Sequence, residues 1–190
     1  MKTPIFLIAL CLMTTNAPAQ GQKWTPTVGD YIMSHSHCPG GPANTADHDF
    51  LRKISAHDMK SKMFFLQEFG RDGGSGGWTE DPENAESLSD HDLEGRMHAA
   101  IYGHCAPFGP NDMSKYEIVE IHTPAGTMRA CQVDNYIFRD VVGKVKFSTT
   151  WWTDGLPLTG GFGGVAKSLT YDGWACSEEV TEVHLKGLTY

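Results

Sequence analysis

The second half of the chain is dominated by alternating positions. Along residues 144–151 the series Val, Phe, Thr, Trp alternates with Lys, Lys, Ser, Thr. A period of two is typical of a β-strand with one face on a core and the other in water. Weaker alternation between turn signals rich in Gly, Pro, Asp and Asn predicts four more strands, at residues 116–123, 127–133, 166–171 and 180–186. We therefore predict an antiparallel sheet of five or six strands over residues 115–190.

Residues 20–114 have a different pattern. They hold seven of the nine histidines and a Gly-rich run at 72–77, which favour loops and short helices. Ser89 precedes apolar residues at relative positions i, i+4, i+7 and i+8 starting from Leu93, which predicts a capped amphipathic helix. A second helix is predicted over residues 47–54, capped by Asp47 or Thr45, whereas residues 62–69 fit a helix or a strand equally well.

The two halves together predict one α+β domain over residues 20–190. Its N-terminal half, residues 20–114, is expected to be rich in loops and helices, and residues 115–190 are expected to form the sheet. We find no internal repeat and no linker composition that would divide the chain.

The first nineteen residues have the pattern of a secretory signal. Lys2 is followed by an apolar run at 5–13 and by Ala17-Pro18-Ala19, which a signal peptidase accepts. The run is too short to span a bilayer, and no later stretch is long and apolar enough to do so. We expect cleavage after Ala19 and a periplasmic or secreted protein that does not span the membrane.

Composition agrees with one globular domain. The chain has 190 residues, of which 40% are hydrophobic and 20% charged. Its formal net charge of −8, with acids and bases interspersed, argues against binding to nucleic acid.

Four cysteines lie beyond the predicted signal, an even number in an oxidising compartment, and this predicts two disulfides. Three connectivities are open. We favour Cys38 with Cys105 and Cys131 with Cys176, because each pair then stays within one half of the chain. Oxidation would leave Cys38, although it adjoins His37, unable to act as a nucleophile.

The histidines are candidate metal ligands. His91, Glu94 and His98 would share one face of the helix that follows Ser89. A further zinc ligand would come from elsewhere, from His104 or from the pair His35 and His37. The spacing matches none of the zinc-protease signatures, so we favour solvated or loop-packing histidines and no cofactor, with zinc as the alternative.

The aromatic residues suggest a binding surface. Trp151 and Trp152 are adjacent in a predicted strand, so one indole enters the core and the other meets solvent, a partner or a covering helix. With Phe162 and Trp174, the exposed ring would line an apolar groove. The expected ligand is an apolar small molecule or lipid, or a protein partner.

A longer motif carries a family resemblance. The segment Thr150-Trp151-Trp152-Thr153-Asp154-Gly155-Leu156-Pro157-Leu158 leads through Gly160-Gly161 into Gly164-Val165-Ala166-Lys167-Ser168-Leu169. It resembles a pattern in exported bacterial sheet proteins distantly similar to the outer-membrane lipoprotein carrier superfamily. The resemblance covers residues 115–187. It implies a curved antiparallel half-barrel with an apolar concave side, and no catalytic residue.

The sequence thus predicts an exported, disulfide-stapled, non-enzymatic binding protein with an apolar ligand or a protein partner on its sheet face. One alternative is a metal-binding protein or metal-dependent hydrolase that uses the histidines of the N-terminal half. The other is an inhibitor or immunity-type protein, which small size, export and acidity allow.

Overall fold

The computed structural model describes residues 24–41, 47–73, 76–98, 100–107, 109–159, 163–171, 175–186 and 188. The predicted signal peptide, Phe162 and Trp174 lie outside these residues. Within them, nine strands and two short helices are present. The strands are β1 Tyr31–His37, β2 Asp47–Asp58, β3 Met63–Asp72, β4 Thr79–Ser89, β5 Lys115–Thr123, β6 Gly126–Arg139, β7 Gly143–Trp152, β8 Val165–Thr170 and β9 Ser177–His184.

All nine described strands belong to one antiparallel sheet in the order β4-β3-β2-β1-β9-β8-β7-β6-β5. The sheet is open, with β4 and β5 at its edges. The two halves of the chain meet at its centre, where β1 pairs with β9 and Ile32 lies opposite Val183.

The predicted α+β class with a helix-rich N-terminal half is therefore wrong. Residues 20–114 contribute four of the nine described strands, and the sheet is larger than the five or six strands expected. The helix predicted from Asp47 is strand β2, which pairs with β1 on one side and β3 on the other. Two neighbouring strands satisfy its backbone groups, and this tertiary pairing outweighs the local capping signal.

The helix predicted after Ser89 is confirmed, as α1 Asp90–His98 followed by α2 Ala100–His104. The Asp92 N–H donates to Ser89 Oγ at 3.2 Å, and the Ser89 N–H donates to the Asp92 carboxylate at 3.0 Å. This reciprocal pair is a capping box with Asp in place of the usual Glu. Leu93 and Met97 of α1 are buried.

The predicted strands of the second half are confirmed, with two differences in length. β9 begins at Ser177, three residues before the predicted start. β6 continues through the turn expected at Asp134-Asn135 and ends at Arg139, with a register shift between Asn135 and Tyr136. The Asp134 carboxylate accepts hydrogen bonds from Thr149 Oγ1 at 2.8 Å and Lys146 Nζ at 2.7 Å on β7. These two contacts stabilise Asp134, a residue type that favours turns, within a strand.

The core lies between the sheet, α1 and the segment that joins β7 to β8. Gly164 in that segment has a φ of +87°, and a Cβ built there would lie 2.2 Å from the Ala100 Cβ. Glycine thus lets the segment approach the start of α2. The largest completely buried apolar side chains of this core are Ile54, Leu66, Leu93, Leu156, Leu158 and Val180.

Two disulfides are present, as predicted, but our favoured pairing is wrong. Cys38 is bonded to Cys176, and Cys105 is bonded to Cys131. The pairing of β1 with β9 brings Cys38, just after β1, beside Cys176, just before β9. Cys105 follows α2, which packs on β6 and β7. Both bonds are consistent with a location outside the cytoplasm.

Candidate functional site: a cleft beside Trp152

The structure separates the two adjacent indoles as expected. Trp151 packs against the core, and its Nε1 donates a hydrogen bond to Gln132 Oε1 at 3.0 Å. Trp152 lies under the imidazole of His104, with ring centroids 3.6 Å apart and planes 15° from parallel. Of the two described tryptophans that were predicted to bind a ligand, Trp152 lines a cleft described below. The ligand-binding role itself stays a prediction.

This cleft, named here the Trp152 cleft, lies between α2 with residues 105–107 and 109–114 on one side and β5, β6 and β7 on the other. Its volume is about 600 Å³, within the range of small-molecule sites in proteins. The lining residues are Gly103, His104, Ala106, Gly109, Pro110, Asn111, Asp112, Ser114, Tyr116, Val133, Asn135, Thr150 and Trp152.

Covalent and polar links hold the α2 side of the cleft against the sheet. The disulfide from Cys105 to Cys131 joins the end of α2 to β6. At the start of α2, the Ile101 N–H donates to the Asp154 carboxylate at 3.0 Å. Both ends of this five-residue helix are thereby attached to the body of the protein. Such attachment keeps the cleft open without a ligand, which lowers the ordering cost of binding.

Polar groups line the end of the cleft away from the indole. Ser114 Oγ donates to Asn135 Oδ1 at 3.3 Å, and the Tyr116 hydroxyl donates to the Asp112 carboxylate. Burial lowers the pKa of the His104 imidazole, which favours its uncharged form. The cleft therefore combines an aromatic wall with several hydrogen-bonding groups and one carboxylate, that of Asp112.

The helical metal-ligand candidates do not point into the core. His91, Glu94 and His98 are exposed on α1, opposite the buried Leu93 and Met97. Among the described residues, no group of three or more His, Cys, Asp or Glu side chains is placed to hold a metal ion.

The other predicted ligands make different contacts. His35 Nδ1 lies 2.8 Å from Asp49 Oδ1, and His37 Nδ1 lies 2.6 Å from Asp47 Oδ1. These pairs join β1 to β2, so the two histidines share a face of β1 as expected. His104 stacks on Trp152. A metal at any of these histidines stays a prediction.

A second cavity, named here the Arg52 cavity, was missed by sequence reasoning. It has a volume of about 220 Å³ and lies on the sheet face that carries the core. One signal could have revealed this cavity. On a strand, the charged Arg52 would lie between the apolar Phe50 and Ile54 on the same face. The helix predicted over residues 47–54 concealed that pattern. Its lining residues are Ile32, Ser34, Phe50, Arg52, Glu68, Leu158, Thr159 and Glu178.

Within the part of the chain that the structure describes, no helix has the length and apolar character needed to cross a membrane. No protein-family model matches the sequence. No curated protein matches it either.

Two solved structures are similar in outline. One is a Bacteroides fragilis protein described as exported and as having a YmcC-like fold, with 10% identity, a TM-score of 0.48, and coverage of 84% of this chain and 98% of that one. The other is described as a lipoprotein of Parabacteroides distasonis, with 10% identity, a TM-score of 0.44, and coverage of 84% and 96%. The chain is thus weakly similar to exported bacterial proteins, and the similarity to the lipoprotein carrier superfamily is not confirmed.

Proposed function

We propose that this protein is an exported, non-enzymatic binding protein that holds a small, largely apolar molecule in the Trp152 cleft. The observation that carries the proposal is the cleft itself. It is about 600 Å³ in volume, has Trp152 and Val133 in its wall, and is braced by a disulfide.

The lining defines the chemistry of the ligand. An apolar body would pack against the Trp152 indole, and one hydrogen-bonding group would reach Ser114 or Asn135 at the polar end. The protein has a net charge of −8, and the neutral form of His104 is favoured, so a neutral ligand suits the site better than an anion.

The test uses the neutral apolar probe N-phenyl-1-naphthylamine with the mature, disulfide-bonded protein. Fluorescence titration should show saturable binding, and Trp152→Ala should weaken it at least about tenfold through loss of the aromatic wall. Tyr102→Ala is the matched control. Tyr102 is on α2, the helix that carries His104, is 90% exposed and does not line the cleft, so its removal should leave the affinity unchanged.

A second variant covers the case in which Trp152→Ala does not fold. Thr150→Phe fills the cleft and keeps the indole, and it should also abolish probe binding. Circular dichroism and thermal melting would establish that each variant is folded. Unchanged probe affinity in folded Trp152→Ala or folded Thr150→Phe would overturn the assignment of the cleft.

A further inference from the structure

None of the described residues that line the Arg52 cavity also lines the Trp152 cleft. It lies where the apolar face of β1, β2, β3 and β9 becomes polar. On β2, Ile54 is completely buried in the core, while Arg52, two residues earlier on the same face, lines the cavity. The charged side chain of Arg52 therefore lies at the margin of the core.

The Arg52 guanidinium has unused hydrogen-bonding capacity. Its Nε and Nη1 are buried and have no hydrogen-bond partner among the described residues. Glu68 Oε2 lies 3.5 Å from Nε, and Glu86 Oε2 lies 3.7 Å from Nη2, both beyond good hydrogen-bond distance. Buried polar groups of folded proteins are almost always paired. The two orphaned donors belong to a residue that lines the cavity, and they point to an absent acceptor beside it.

The carboxyl groups of Glu68 and Glu178 line the same cavity. Ser34 Oγ donates to Glu178 Oε1 at 2.9 Å. Burial raises the pKa of the Glu68 carboxyl despite the attraction of Arg52, and the neighbouring carboxylates of Asp81 and Glu178 add to the increase. The cavity lining holds two carboxyl groups and one guanidinium, so a bound cation would balance its charge.

The remaining wall is apolar, formed by Ile32, Phe50 and Leu158. A ligand that satisfies the whole lining needs an acceptor for the guanidinium, a positive donor for the carboxylates and an apolar group. Those three features occur together, on adjacent atoms, in an α-amino acid.

We propose that the Arg52 cavity binds a free amino acid with an apolar side chain. Arg52 binds its carboxylate, Glu68 and Glu178 bind its ammonium group, and the side chain packs on Ile32, Phe50 and Leu158. The site is independent of the Trp152 cleft.

The first experiment uses the mature wild-type protein and isothermal titration calorimetry. L-Leucine, L-isoleucine and L-phenylalanine are the probes, and at least one should bind. The matched analogues of leucine are its methyl ester, which lacks the carboxylate, and 4-methylpentanoate, which lacks the ammonium group. Each analogue of the bound amino acid should bind at least about tenfold more weakly. No binding of any of the three amino acids, or equal binding of the analogues, would overturn the proposal, since a cavity holding only water predicts the former.

Variants locate the binding. Arg52→Gln keeps much of the side-chain length but removes the charge, and Glu178→Gln removes one acid; each should weaken binding at least about tenfold. Arg71→Gln on β3 is the control, because Arg71 pairs with Asp49, stacks on Trp78 and does not line the cavity. Unchanged affinity in folded Arg52→Gln or Glu178→Gln would refute the site.

Competition separates this proposal from the function proposed above. The amino acid should leave the fluorescence of bound N-phenyl-1-naphthylamine unchanged. Displacement of the probe would show that the amino acid occupies the Trp152 cleft, and it would overturn the Arg52 site. If Arg52→Gln fails to fold, the wild-type analogue series and Glu178→Gln still decide the question.

Discussion

The indole Nε1 of Trp24 donates a 2.9 Å hydrogen bond to the carboxylate of Asp30, which is completely buried. The same carboxylate accepts from the Thr27 N–H and the Lys186 N–H, each at 3.0 Å. The Asp30 carbonyl accepts from the Ile54 N–H at 2.9 Å. One residue thus joins the segment before β1 to β2 and to the segment after β9.

Asp30→Ala should destabilise the protein by on the order of 3 kcal/mol, because it leaves buried donors without their charged acceptor. Urea denaturation would measure the loss. Trp24→Phe keeps most of the ring and removes one donor, so it should cost less, about 1 to 2 kcal/mol. A loss below about 1 kcal/mol for Asp30→Ala would contradict this account of the network.

The two disulfides should contribute unequally. Cys38 and Cys176 are 138 residues apart in sequence, and Cys105 and Cys131 are 26 apart. In the chain-entropy model these loops correspond to about 5 and about 3.5 kcal/mol. Serine substitution of both members of each pair, followed by thermal melting, should lower the Tm more for the Cys38–Cys176 pair. The opposite order would show that loop length is not the controlling factor.

Two glycines should respond oppositely to alanine. Gly164→Ala should destabilise, because its φ is +87° and the new Cβ would lie 2.2 Å from the Ala100 Cβ. Gly95 lies inside α1, and a Cβ there meets nothing within 4 Å among the described residues. Gly95→Ala should therefore stabilise by about 0.5 to 1 kcal/mol through helix propensity. Thermal melting of both variants gives the sign directly, and a stabilising Gly164→Ala would be incompatible with the packing described.

The pH dependence of stability should carry a contribution from His104. Burial lowers its pKa from the ordinary 6.5, so the unfolded chain binds a proton more readily than the folded one. Stability should fall as the pH decreases through about 6.5, and the loss should level off below the folded-state pKa. His104→Phe keeps a ring against Trp152 and removes the titration. Denaturation at a series of pH values should show a smaller acid loss for the variant, and identical profiles would count against the assignment.

Strands with clean alternation and definite turns were predictable from local pattern. The 144–151 alternation matches β7, and the 116–123 segment matches β5 almost residue for residue. α1 was predictable because Ser89 caps it and its apolar spacing is helical. β2 was not, since Asp47 offers a local helix cap while the pairing with β1 and β3 is a long-range property. The turn expected at Asp134 was wrong for the same reason. Thr149 and Lys146, whose side chains bind Asp134 within the sheet, lie on another strand.

Some features of the candidate sites were also predictable from the sequence, and others were not. Adjacent tryptophans in a strand imply opposite faces, so the different environments of Trp151 and Trp152 followed from the sequence. The stacking of His104 on Trp152 did not, because it depends on where α2 packs. The Arg52 cavity was equally hidden, since Arg52, Glu68 and Glu178 come from three strands of the sheet.

The sequence alone determined the antiparallel strands of the second half, α1 and the presence of two disulfides, because these depend on residue spacing, capping and cysteine number. Only the tertiary structure decided the class of the fold, the disulfide pairing and the composition of both cavities. The class of the fold, the Cys38–Cys176 bond and the Arg52 cavity depend on the central pairing of β1 with β9, which joins residues at opposite ends of the chain. The Cys105–Cys131 bond and the Trp152 cleft depend on where α2 packs against β6 and β7. Hydrogen bonds between strands so far apart in sequence leave little trace in local pattern.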